Sequence, residues 1–168
     1  MKRRAVLVML GGVAAAFGGF AHARADVGAP APRGGGRVEI SVIHAIKTDG
    51  GGSIDPRLRD LPQLTRDQPF VRYNVYRLLD RKEVGLTRGT PAPYALVNGR
   101  TLQVTLTDVT TEAGGAARYH VRVEIGEPGK QAFLKLLEVT AGPNDPFFVA
   151  GQSYEGGTLF LELAMRGS

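Results

Sequence analysis

The chain has 168 residues, 21 Lys and Arg against 16 Asp and Glu, and no cysteine or tryptophan. The missing thiols exclude disulfides, thiolate metal sites and a cysteine nucleophile, and a chain of this length holds one hydrophobic core without such staples. Four of the 21 basic residues fall within residues 1–25, where no acid stands, so 17 face 16 acids in the remainder, and that near-neutral balance removes the main support for a nucleic-acid partner.

Lys2, Arg3 and Arg4 give a positive start, and residues 5–20 form an uncharged apolar run. Ala21-His22-Ala23-Arg24-Ala25 then supplies the small residues a signal peptidase reads, with Ala23 and Ala25 as the cleavage determinants. The apolar run contains four glycines and is shorter than the roughly 20 residues a bilayer-spanning helix requires. Residues 1–25 therefore read as a cleaved export signal, and the mature chain as not membrane-spanning. Arg3-Arg4-Ala5-Val6-Leu7 also fits the core of a twin-arginine address. The expected location is periplasmic or extracellular, by the Sec or the twin-arginine route. Residues 26–36, rich in Gly and Pro, read as a tether, and residues 37–168 as one β domain.

Val38, Ile40 and Val42 open the domain with the alternation of a half-buried strand. Residues 49–53 break it, and Asp55-Pro56 followed by Leu58, Leu61 and Leu64 predicts one short helix near 56–66, with Pro62 a liability inside it. Strands follow at 70–79 and 84–86, then a break at 91–93. The sequence 94–109, centred on Asn98-Gly99, predicts a two-residue type I′ hairpin. Tyr119, Val121, Val123 and Ile125 alternate with His120, Arg122 and Glu124, the pattern of a sheet with one wet face. Further strands are expected at 132–140 and 158–165, the last with Leu159, Leu161, Leu163 and Met165 on one side. Seven to eight strands with regular turns predict a mainly β fold, a single antiparallel β-sandwich or small barrel. An outer-membrane barrel is disfavoured by the Pro56 helix, the few aromatics and the polar Arg166-Gly167-Ser168 ending.

Asp49, Ser53 and Asp55, set among three glycines, could offer a calcium ion hard oxygen ligands, although Asp55 also stands where a helix cap belongs. His44 and His120 are the two histidines of the mature chain, candidates for half a metal site or for the acid/base of a hydrolase. Gly151-Gln152-Ser153-Tyr154-Glu155 begins like a nucleophile elbow but lacks its second glycine. The acids Asp60, Asp67, Asp80 and Glu83 are interleaved with arginines, as on a solvated surface. Arg72, Tyr73, Tyr76 and Arg77, with Tyr94, mix basic and aromatic side chains that could bind a ligand or a partner. No motif calls for a cofactor.

Ile54-Asp55-Pro56-Arg57-Leu58, the aromatic run 73–79, the turn around Asn98-Gly99 and Gly156-Gly157-Thr158-Leu159 resemble an uncharacterised group of small exported bacterial β-rich proteins. That resemblance implies a fold and carries no activity. The expectation is a non-enzymatic module that contacts an unknown protein partner in the cell envelope. The alternatives are a small-ligand or carbohydrate binder using Tyr73, Tyr76 or Tyr94, and a periplasmic hydrolase using His44 or His120.

Overall fold

The computed structural model describes residues 35–167, so the expected export signal with Ala23 and Ala25, and residues 26–34 of the expected tether, lie outside the described residues. The elements are β1 (Gly35–Ile46), β2 (Ser53–Ile54), a 3₁₀ turn (Pro56–Leu58), α1 (Gln63–Arg66), a second 3₁₀ turn (Phe70–Arg72), and then β3 (Val75–Thr87), β4 (Pro91–Ala95), β5 (Thr101–Thr111), β6 (Ala117–Gly126), β7 (Phe133–Ala141), β8 (Pro146–Tyr154) and β9 (Gly157–Arg166). They form two sheets, one ordered β2-β3-β1-β9-β8 and the other β4-β5-β6-β7. All pairings are antiparallel except the short β2–β3 contact. No helix of the described residues is long and apolar enough to cross a membrane.

The two sheets pack face to face in a sandwich-like arrangement. Val38, Ile40 and Val42 of β1 and Leu159, Leu161 and Leu163 of β9 meet Leu102, Val104 and Leu106 of β5 and Val121, Val123 and Ile125 of β6 in one buried cluster. The alternation read in β6 and β9 is the reason, since a period of two puts each apolar set on the same face.

β1 lies between β3 and β9, and it is buried on both faces. Its odd-numbered residues Ile43 and Ala45 join a second core with Leu58, Leu61, Leu64, Phe70, Tyr76, Leu78 and Phe160. A bulge lets β3 serve both cores. Val42 pairs with Asp80 and Ile43 with Leu78, so Leu79 is the extra residue. Tyr76 and Leu78 before it face the second core, and Val84 and Leu86 beyond it face the first, although all four have the same parity.

Several expectations are corrected. The helix near 56–66 is three short turns spread over 56–72, because Pro62 cannot donate to an earlier carbonyl and α1 begins only after it. Residues 70–72 belong to the last of these turns and not to a strand. The hairpin after β4 has Gly99 at positive φ while Asn98 is not, with Gly99 N–H donating to Leu96 O and Leu96 N–H to Arg100 O. That is a three-residue loop with a glycine bulge instead of a type I′ turn. Pro91 and Pro93 form part of β4 instead of a break. β4 is an edge strand, where missing amide donors cost nothing on the open side. β1 also begins at Gly35, inside the expected tether. A Cβ at Gly36 would lie 3.3 Å from Met165 and 3.4 Å from Tyr119, so glycine permits that close approach.

Candidate functional site

Asp55 starts the segment that covers the outer face of the larger sheet. Its Oδ1 accepts the Arg57 backbone N–H at 3.0 Å and Arg57 Nε at 3.0 Å, its Oδ2 accepts Arg57 Nη2 at 2.7 Å, and Oδ2 also faces the Leu78 amide at 3.3 Å. These donors, the Arg57 side chain first, hold its carboxyl well below the usual carboxylate range. Pro56 follows at the first helical position. Leu58, Leu61 and Leu64 then recur every three residues, the period of the 3₁₀-like turns, and all three are buried on Ile43, Ala45 and Phe160. Phe70 closes the cap, stacked edge-on against Phe148 at 4.8 Å, and its carbonyl accepts the Tyr76 hydroxyl at 2.5 Å.

Where this cap meets the β2 edge it leaves a groove of about 310 Å³ lined by Ser53, Ile54, Leu64, Val71, Tyr73 and Tyr76 among others. Ile54 and Val71 expose 37% and 42% of their surface here, and it is their convergence on one groove, more than the exposure of either, that is informative. The floor is fixed. The Tyr73 hydroxyl donates to Thr158 Oγ1 at 3.0 Å, and burial pushes the Tyr76 phenol up to about 12. Asn74 secures the loop above: its Oδ1 accepts the Thr48 N–H at 2.8 Å, while its Nδ2 donates to the carbonyls of Thr48 and Gly50 at 2.9 and 3.0 Å.

Of the basic and aromatic residues singled out in the sequence, the groove gathers Tyr73 and Tyr76, with Arg72 exposed beside Val71. Arg77 is exposed on the opposite face of β3, where it pairs across the ladder with His44. Tyr94 lies elsewhere, buried in the inter-sheet core, where its hydroxyl donates to Asp80. Burial and that carboxylate raise its phenol. Tyr76 and Tyr94 are 2% and 6% exposed, so neither offers a free ring for stacking, contrary to the expectation from composition.

The calcium reading also loses its ligands. Asp55 is occupied by Arg57 and Leu78, the Thr48 and Gly50 carbonyls are taken by Asn74, and Asp49 is left alone on an exposed bend. Among the described residues no three His, Cys, Asp or Glu side chains come together as a metal-ligand set.

The histidines are far apart in the fold. His44 is buried on the inward face of β1, with Nε2 3.1 Å from Tyr154 O and its ring edge-on to Tyr154. His120 is on the outer face of the other sheet, its two ring nitrogens 3.2 and 3.1 Å from the hydroxyls of Thr110 and Thr140. Ser153 sits in β8, which turns directly into β9, so the strand-to-helix elbow is absent from this segment.

Sequence reasoning did not single out Ile54, Val71 or Asn74 as site residues, because they acquire that meaning only where loop and cap converge. It also missed Glu162, whose place among alternating leucines reads as a wet face. The structure buries it, 4% exposed, with Oε2 unpartnered among the described residues. Burial pushes its carboxyl up, opposed by the Ser41 hydroxyl and Arg81 and reinforced by Glu39 and Asp60.

No family model and no solved structure matches the chain. Among curated proteins the chain is similar to a disintegrin and metalloproteinase with thrombospondin motifs 7 from Homo sapiens, 26% identical over 153 residues. The match covers 76% of this chain and spans 8% of the length of that relative. The His-Glu-x-x-His run by which zinc proteases hold their metal does not occur in this sequence.

Proposed function

We propose that this chain is an exported module of the cell envelope or extracellular space that works by contact with a protein partner, and that the groove between the cap and the β2 edge is the contact. The supporting observation is the convergence of Ile54 and Val71, two partly exposed aliphatic side chains, on one concave surface whose floor is held rigid by Tyr73, Tyr76 and Asn74. Rigid apolar concavities are where binding energy concentrates. Leu134 is more exposed, at 68%, but the nearby Arg100, Glu127 and Lys130 already pair with one another. With Tyr76 and Tyr94 buried, the small-ligand reading keeps one of its three stacking faces, the half-buried Tyr73. Export follows from the signal pattern of residues 1–25.

The test is to recover the protein from outside the cytoplasm, sequence its N-terminus and size its native complex. The expected protein begins at Asp26 and runs in a complex that Val71→Glu dissociates and Leu134→Glu leaves intact, with the melting temperature unchanged in both variants. A protein retained inside the cell, or a complex indifferent to Val71→Glu, contradicts the proposal.

A further inference from the structure

The β2 edge adds something to the groove that its side chains do not. Ser53 N–H donates to Asn74 O at 2.8 Å and Asp55 N–H to Tyr76 O at 2.9 Å, both toward β3. Because successive residues of a strand point their backbone groups to opposite sides, the N–H and C=O of Ile54 face away from the sheet. β2 is the edge of its sheet, and the adjoining Gly50 and Gly51 have open space where a Cβ would stand. A free donor and acceptor pair thus lies on the rim of an apolar groove. This combination suits strand addition, in which main-chain hydrogen bonds supply affinity and a side-chain pocket supplies selectivity.

The charge around it favours one kind of occupant. Between Lys47 and Lys82 there are eight Lys and Arg against five Asp, and two of those aspartates, Asp55 and Asp60, are already paired with Arg57 and Arg81. Arg66 and Arg72 flank the groove-lining Thr65 and Val71 and make no ion pair among the described residues. Resting on the reading of this groove as a partner site, we propose that the partner contributes an extended, acidic segment. It pairs with Ile54 as an added strand and sets an aliphatic side chain between Ile54, Leu64 and Val71.

The test uses the exported protein and a random dodecapeptide library displayed on phage. Enriched peptides are expected to carry acidic residues around alternating aliphatic ones and to slow exchange of the Ile54 amide at least tenfold. They should also lose about tenfold in affinity on Ile54→Pro, as for one hydrogen bond. That variant keeps the β2–β3 bonds, which come from Ser53 and Asp55, but replaces the Ile54 side chain along with the outward donor, so Ile54→Ala is measured beside it and should cost less. If Ile54→Pro does not fold, single N-methylation along the peptide asks the same question from the other side, with the same tenfold loss expected at one position. Peptides that bind at Val71 but leave Ile54 exchange and the variant or N-methyl affinities unchanged overturn strand addition while leaving the partner site standing. Enrichment of basic peptides, or of none, overturns the acidic-strand proposal, and the Val71→Glu complex assay then judges the partner site by itself.

Discussion

The two apolar cores share β1 and differ in what holds their other walls. Between the sheets, every wall is a strand, and the hydrogen-bond ladders fix each side chain relative to its neighbours. On the outer face of the larger sheet, one wall is the 56–72 segment, whose own backbone bonds are short-range, such as Leu61 N–H to Leu58 O and Asp67 N–H to Gln63 O. The cap therefore stays in place through Leu58, Leu61, Leu64 and Phe70 and not through a ladder. A segment held that way opens more readily than the sheets beneath it. The groove lies at its border, on the side that Tyr73, Asn74 and Tyr76 anchor to Thr158, to the Thr48 and Gly50 carbonyls and to Phe70.

The most severe way to break the comparison is to open a cavity in each core. Leu161→Ala should cost about 2–5 kcal/mol of global stability in a denaturant titration. Leu64→Ala should lower global stability by less, about 2 kcal/mol or under, while speeding amide exchange across 56–72. Equal global losses would mean that the cap unfolds only with the sheets.

A smaller effect sharpens the boundary between cap and sheet, where Glu162 lies with Ser41, Glu39, Arg81 and Asp60. Its carboxyl is raised above its unfolded value, so the stability linked to this group is fully present below the unfolded pKa and is lost as pH rises through the folded one. Melting temperatures of Glu162→Gln should fall less than those of the natural chain between acid and neutral pH. Asp55 has the opposite sign. Its lowered pKa contributes stability above the unfolded value that disappears as the solution is acidified.

The legibility of these regions in sequence follows the same division. The inter-sheet core was readable because Tyr119, Val121, Val123 and Ile125, or Leu159, Leu161 and Leu163, announce a period of two. Asp55-Pro56 likewise marked the start of the cap through ordinary capping chemistry. The cap's path was readable only as far as the Leu58, Leu61 and Leu64 spacing, since Pro62 splits that period into separate turns and Pro69 leaves none to follow. β2 and β8 were also missed: two residues are too few to alternate, and Gly151 at positive φ bulges β8 so that its apolar residues fall out of step. Glu162 shows the limit of alternation, which predicts which residues share a face but not whether another segment covers it. Of the groove, Tyr73 and Tyr76 were found by their type, whereas Ile54, Val71 and Asn74 depend on a meeting of distant loops.

The most direct measurement places a photo-crosslinking amino acid, one position at a time, at Ile54, Val71, Val97 and Leu134, all exposed apolar sites. Irradiation of the protein in its native cells should give one discrete crosslinked product from Ile54 and Val71 and none from Val97 or Leu134. A product from Leu134 with none from the cap positions would contradict the account and move the contact to the edge of the other sheet.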